Sequence, residues 1–202
     1  MARILVVDDE DFFRKAICEY LKNKRFDVCE ASSVKEAKEF LTRLDLQLVI
    51  TDIQMPELTG IDLLEWAQTH KTPPFIVMTG FSTLLETHSA YDLGAKEFIT
   101  KPFRHTDLMH AIERVLGSKH GITLPMPPAT EYCKISIEDV APYSTIDFDV
   151  FVKLSENKYI KIAHKGESVP RERMGQYKEK GVHFLYVAKA DLAKLGLEIS
   201  GH

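Results

Sequence analysis

Ile4-Leu5-Val6-Val7-Asp8-Asp9, a short apolar run that ends in two acids, is the first of four related stretches. Leu48-Val49-Ile50-Thr51 leads into Asp52, Phe75-Ile76-Val77-Met78 into Thr79, and Phe98-Ile99-Thr100 into Lys101. Runs of this length, rich in β-branched residues, read as strands buried on both faces, as in a parallel sheet. All carboxyl ends of such a sheet open on one edge, where ligands bind at the point at which the strand order switches. Three carboxylates, a hydroxyl and an ammonium gathered there are the parts that hold a divalent metal and a phosphoryl group.

Between these runs the apolar spacing changes to that of helices. Phe13, Ala16, Ile17, Tyr20 and Leu21 recur at i, i+3, i+4, i+7 and i+8, and Leu108, Ala111, Ile112, Val115 and Leu116 repeat the pattern. Strands are expected at 27–31, 47–51, 75–79 and 97–100, with helices at 34–43, 60–69, 83–92 and 104–116. Five alternating units predict an α/β domain over 1–117, a doubly wound five-stranded parallel sheet of the flavodoxin-like kind.

Beyond it, Gly117-Ser118-Lys119-His120-Gly121 gives way to Pro125-Met126-Pro127-Pro128, and a linker is read at 118–130. Residues 131–202 follow a two-residue period. Cys133, Ile135 and Ile137 alternate with polar residues, as do Phe148, Val150, Val152 and Leu154, although Phe151 falls on the polar side. Ser155-Glu156-Asn157-Lys158 turns the chain into Tyr159–Ala163 as a hairpin. Pro170 opens a helix that carries Met174 and Tyr177 inward and stops at Gly181. A strand at 183–187 and a short helix at 189–195 complete a small α+β domain with a half-buried antiparallel sheet.

Of 202 residues, 45% are hydrophobic, enough for a core in each part. No apolar run approaches the roughly 18 residues of a membrane helix, so no membrane partner is expected. Three cysteines without metal-like spacing argue against a disulfide framework and for a cytoplasmic protein. Residues 1–130 hold 15 Lys and Arg against 19 Asp and Glu, and residues 131–202 hold 11 of each. The second part therefore lacks the basic excess of a DNA-binding module, although a neutral domain can carry a local patch.

Mg²⁺ takes an octahedron of oxygens from a few carboxylates, water and phosphate. Asp8, Asp9 and Asp52 supply such a cage, and their mutual repulsion is relieved by the cation. With Asp52 as nucleophile, Lys101 can pair with the phosphoryl oxygens and Thr79 can hydrogen-bond them once attached.

Residues 1–118 resemble the receiver domain of two-component response regulators throughout their length. The resemblance is carried by Val6-Val7-Asp8-Asp9-Glu10, Thr51-Asp52-Ile53-Gln54-Met55-Pro56 on to Gly60, Met78-Thr79-Gly80 and Lys101-Pro102-Phe103. It implies that Asp52 is the phospho-acceptor, Asp9 a direct Mg²⁺ ligand and Asp8 a water-mediated one, with the backbone carbonyl of Gln54 as a further ligand. It also implies a switch hydroxyl at Thr79, a switch aromatic at Phe98, a phosphate-binding Lys101 and a cis Lys101-Pro102 peptide. The partner implied is a histidine kinase or phosphotransfer protein. On phosphorylation Thr79 would move and Phe98 would turn inward. That would reshape the face made by 83–92, the last strand and 104–116, which pairs two chains or meets the second domain.

For 131–202 the segments Phe151 to Lys161, Gly166-Glu167-Ser168 and Tyr177 to Val187 resemble the accessory domain found ahead of HD-GYP cyclic-dinucleotide phosphodiesterases. No catalytic signature accompanies them, so no enzymatic activity beyond phosphoryl acceptance and self-dephosphorylation is expected. The expected function is a response regulator whose non-catalytic C-terminal domain binds a protein, with Lys158, Lys161, Lys165, Arg171 and Arg173 as exposed contacts. The alternative is an atypical DNA-binding transcription regulator acting as a phosphorylation-dependent homodimer. Nucleic acid is otherwise not an expected partner, since residues 131–202 contain no helix-turn-helix pattern.

Overall fold

The computed structural model describes residues 1–80, 89–117, 132–140, 145–155, 158–168, 170–179 and 181–195. The chain divides into two compact units, Met1–Leu124 and Pro125–His202. The expected linker at 118–130 lies outside the described residues.

In the first unit the four apolar runs become β1 (Arg3–Val7), β3 (Leu48–Asp52), β4 (Phe75–Thr79) and β5 (Glu97–Thr100), and β2 (Asp27–Ala31) joins them. The sheet is wholly parallel in the order β2-β1-β3-β4-β5. The chain thus starts in an inner strand, moves to one edge, and crosses back past β1. This places the switch of direction between β1 and β3. Leu5, Val6, Val49, Ile50, Ile76 and Val77 are all fully buried, because helices cover both faces.

The helices are α1 (Asp11–Asn23), α2 (Val34–Arg43), α3 (Gly60–Gln68), α4, of which 89–92 are described, and α5 (His105–Leu116). The expected 83–88 portion of α4 lies outside the described residues. α5 buries Leu108, Ala111 and Ile112 as its spacing requires. The stripe of α1 is rotated from the expected one. Arg14, Ile17, Cys18 and Leu21 are buried, Phe13 and Tyr20 are half-buried, and Ala16 is exposed. The i, i+3, i+4, i+7 face is centred one position away because Arg14 is held inward by polar partners.

The start of α3 is closed by a reciprocal cap. Asp62 N donates to Thr59 Oγ1 at 3.3 Å and Thr59 N donates to Asp62 Oδ2 at 2.6 Å. These bonds hold the Asp62 carboxyl below the usual range, the backbone donor of Thr59 contributing most. Gly60 is required by close approach, since a Cβ there would lie 2.2 Å from the Asp52 carbonyl oxygen. The same glycine donates its N–H to Ile53 O at 2.9 Å. The first turn of α3 is thereby sewn to the end of β3.

The second unit contains β6 (Tyr132–Ser136), β7 (Val150–Ser155), β8 (Lys158–Ala163) and β9 (Phe184–Ala188) in one antiparallel sheet, ordered β6-β9-β7-β8. The β7–β8 hairpin falls where the turn residues predicted it. A four-residue helix, α6 (Ile137–Val140), follows β6, and α7 (Arg171–Glu179) buries Met174 and Tyr177. Lys189–Leu195 forms a 3-10 helix. Arg173 is corrected from the expected exposed contact. It is 8% exposed, pairs with Glu167 Oε1 at 2.7 Å and donates to the carbonyl of Ile162. Its place on the inward face of α7, one residue before Met174, accounts for the difference.

Thr59→Ala removes the reciprocal cap of α3. It is expected to lower the stability of the first unit by about 1 kcal/mol, measured as a shift in the urea midpoint at unchanged slope.

Candidate functional site

Parallel register brings the acids together. Val7 pairs with Thr51 across β1 and β3, so the residues that follow, Asp8 and Asp52, leave the sheet side by side. Asp8 is fully buried and Asp52 is 6% exposed. On the other side Asp52 pairs with Met78, which sets Thr79 one residue beyond it. Thr79 in turn pairs with Thr100, so that Lys101 follows on the next strand. Four of the expected residues therefore occupy one edge because four apolar runs end in register.

Lys101 ties the edge together. Its Nζ donates to Asp8 Oδ2 and to Asp52 Oδ2, each at 2.8 Å, and lies 3.9 Å from Glu10 Oε1. It also sits 4.4 Å from the centroid of the Phe13 ring, which meets Phe103 edge-on at 5.5 Å. The ammonium is thus bounded by two carboxylates and an aromatic face that favours a cation. Burial alone would push its pKa down, yet the hydrogen bonds and charges of Asp52 and Asp8 outweigh that and raise it. Asp52 is likewise raised. There burial is the largest cause, opposed by Lys101 and reinforced by the neighbouring Asp8 charge. One ammonium between two buried carboxylates leaves the Asp52 anion under-compensated.

The carboxylates of Asp8, Glu10 and Asp52 each place an oxygen within 4.8 Å of the others. An all-oxygen set with excess negative charge suits a hard divalent ion such as Mg²⁺. Asp9, expected to ligate directly, is exposed and lies outside this group. The reason is local. Asp8 Oδ1 accepts from Glu10 N at 2.9 Å, an Asx-type turn that folds Glu10 back and leaves Asp9 pointing outward. The loop after β3 leaves Gln54 exposed, and Lys101-Pro102 is cis as the resemblance implied.

Thr79 is 1% exposed and its hydroxyl donates to the Gly80 carbonyl at 3.2 Å. Phe98, expected to turn inward on phosphorylation, is already only 6% exposed, its ring 6.5 Å from that of Tyr91.

Three residues of the site were not singled out in the sequence. Glu10 belongs to the Val6–Glu10 motif, from which no ligand role for it follows. Arg14 is 7% exposed and donates from Nη1 to the Asp8 carbonyl at 2.7 Å, from Nη2 to Asp11 Oδ1 at 2.5 Å and from Nε to Glu30 Oε2 at 3.3 Å. It braces the acidic loop from within α1. Its signal was a basic residue lying between apolar positions 13 and 17. Phe13 read as core and serves also as the wall behind Lys101.

A sequence model of the response regulator receiver domain matches residues 4–113. The transcriptional regulatory protein SrrA of Staphylococcus aureus is 27% identical over 164 residues, 80% of this chain. The match spans 66% of the length of that relative. A response regulator receiver domain protein from Clostridium thermocellum is 33% identical, covering 59% of this chain and 98% of its own, with a TM-score of 0.55. The non-phosphorylated HemR receiver domain from Leptospira biflexa is 30% identical, covering 63% of this chain and all of its own (100%), with a TM-score of 0.53.

Lys101→Met deprives two buried carboxylates of their cation while keeping most of the side-chain volume. Stability in chelator is expected to fall by about 3–5 kcal/mol, and millimolar Mg²⁺ is expected to restore part of it. Thermal melting with and without Mg²⁺ measures both; a variant as stable as the parent in chelator would refute the bridging role.

Proposed function

The chain belongs to the response regulator receiver domain family over residues 4–113, and from that membership we propose that Asp52 accepts a phosphoryl group from a histidine kinase or phosphotransfer protein. The single observation that carries this reading is the placement of the Asp52 carboxylate at the open end of β3, 2.8 Å from the Lys101 ammonium and beside Asp8.

In the proposed step an oxygen of Asp52 forms a bond to phosphorus as the bond from phosphorus to the donor histidine nitrogen breaks. The electron pair leaves with that nitrogen, and the product is an acyl phosphate. Lys101, already held by two carboxylates, exchanges its contact with Asp52 for the phosphoryl oxygens as they arrive. Thr79 turns its hydroxyl from the Gly80 carbonyl to the attached group. Arg14 and Gly60 keep the two acid-bearing loops in place during the exchange.

Mg²⁺ fits the oxygen donors present, and when bound it offsets the charge that builds on the phosphoryl oxygens. Asp8, Glu10 and Asp52 would hold it, with Asp9 and the Gln54 carbonyl as the further oxygens implied by the family resemblance. Hydrolysis of the acyl phosphate by water resets the site, and no other catalytic activity is proposed.

The proposed switch lies in Thr79 and Phe98, with the buried position of Phe98 beside Tyr91 in support of its coupling to that side of the sheet. The consequence is changed pairing of the α4-β5-α5 face with a second copy or another protein, and changed partner binding by the Pro125–His202 unit. That unit is read as an interaction module of the HD-GYP-accessory kind in a cytoplasmic protein. A second reading, transcriptional regulation, rests on the likeness to the transcriptional regulatory protein SrrA, a match that runs longer than the receiver domain itself.

Incubation with a small acyl-phosphate donor and Mg²⁺ is expected to label the parent and leave Asp52→Asn unlabelled, read by phosphate-affinity electrophoresis and intact mass. Labelling of the variant at the parent's level would remove Asp52 from this role.

A further inference from the structure

We propose that the outward face of the β6-β9-β7-β8 sheet binds single-stranded nucleic acid. Period-two alternation divides this sheet into two unlike faces. One is aliphatic and enclosed: Ile135, Val152, Ile160, Leu185 and Val187 are each at most 5% exposed. The other carries one aromatic ring from every strand, Tyr132, Tyr186, Phe151 and Tyr159.

These rings form a continuous series. Tyr132 stacks on Tyr159 with centroids 4.5 Å apart, meets Phe151 at 4.8 Å, and Tyr159 meets Tyr186 at 5.2 Å. All four are half-buried rather than enclosed, and Phe184 on β9 is 48% exposed.

Lysines are interleaved with the rings by register. Lys134 lies opposite Tyr186, Lys153 opposite Tyr159, and Lys161 opposite Phe151. The Lys134 ammonium is 3.6 Å from the Phe184 ring centroid, and that of Lys161 is 5.8 Å from the Phe151 centroid. Lys161 also pairs with Asp149 at 2.7 Å. Among the described outward positions of the four strands the charged residues are these lysines. With Lys161 compensated by Asp149, Lys134 and Lys153 supply the positive charge at the described positions of this aromatic face.

Rings with interspersed cations match unpaired bases and the phosphates that join them. Other occupants fit less well. Protein interface cores are depleted of lysine. A second copy would bring the same positive face against this one. Duplex DNA hides the faces of its bases, and stacking needs them exposed. The inference is independent of the phosphoryl-acceptor reading, and its failure would leave Asp52 untouched.

Fluorescence anisotropy of the full chain with labelled oligo(dT), oligo(U) and a duplex, each about 16 nucleotides long, tests it. Binding to one or both single strands, tighter than to the duplex and weakening between about 50 and 200 mM salt, is expected. The DNA and RNA arms show which strand is preferred. Lys134→Glu with Lys153→Glu should weaken binding at least about tenfold and flatten the slope of log affinity against log salt by about 1.4, from roughly 0.7 per lost phosphate contact. Phe184→Ala should weaken binding with the slope unchanged, and circular dichroism confirms that both variants are folded. Absence of single-strand binding, equal duplex binding, an unaffected lysine variant, or full displacement by poly-glutamate in favour of an acidic protein partner would each overturn the proposal.

Discussion

The pairing of one ammonium with two carboxylates, Lys101 with Asp8 and Asp52, is the interaction on which the first unit's edge depends. Asp8 is wholly buried and Asp52 nearly so, and two anions in that setting repel each other and lose hydration. Lys101 makes their proximity tolerable, and burial still leaves the Asp52 carboxyl reluctant to ionise. A site of this kind is poised for additional positive charge and for a change of partners at Lys101.

The scaffold around that pairing is rigid for identifiable reasons. Arg14 holds the carbonyl of Asp8 from below, Gly60 admits the first turn of α3 against the Asp52 carbonyl, and Phe13 backs the ammonium. Each acts on a different element, so α1, β1, β3 and α3 are locked to the same few atoms. Charge is collected where four strands end, and the apolar remainder of the sheet holds those ends in register. The second unit applies the period-two rule to a different end. Its sheet encloses one aliphatic face and leaves on the other a series of rings separated by lysines. The same alternation that placed Val152 in the core placed Phe151 among those rings, which accounts for the one residue that broke the polar pattern.

Much of this was legible from residue order. Helix 34–43 and the strands at 27–31, 75–79 and 97–100 stand where the pattern put them, and the hairpin after Ser155 and the helix after Pro170 follow their turn chemistry. The departures share one cause: a polar group taking a hydrogen-bond partner that the apolar pattern does not show. Arg14 turned α1 so that Ala16 faces solvent, because Glu30 and the Asp8 carbonyl lay within its reach. Arg173 went inward to Glu167 and the Ile162 carbonyl. Glu10 joins Asp8 and Asp52 in the carboxylate cluster, its backbone N–H held by Asp8.

Residue order alone specified the strand-ending acids, the hydroxyl and the lysine, since buried strands and helices declare themselves through periods of two and 3.6. Which of neighbouring acids point together, which arginine braces them and which ring backs the ammonium were settled only on folding. Those outcomes rest on side-chain directions and distances, some within a few residues and some across the sheet, that the periods of two and 3.6 leave open.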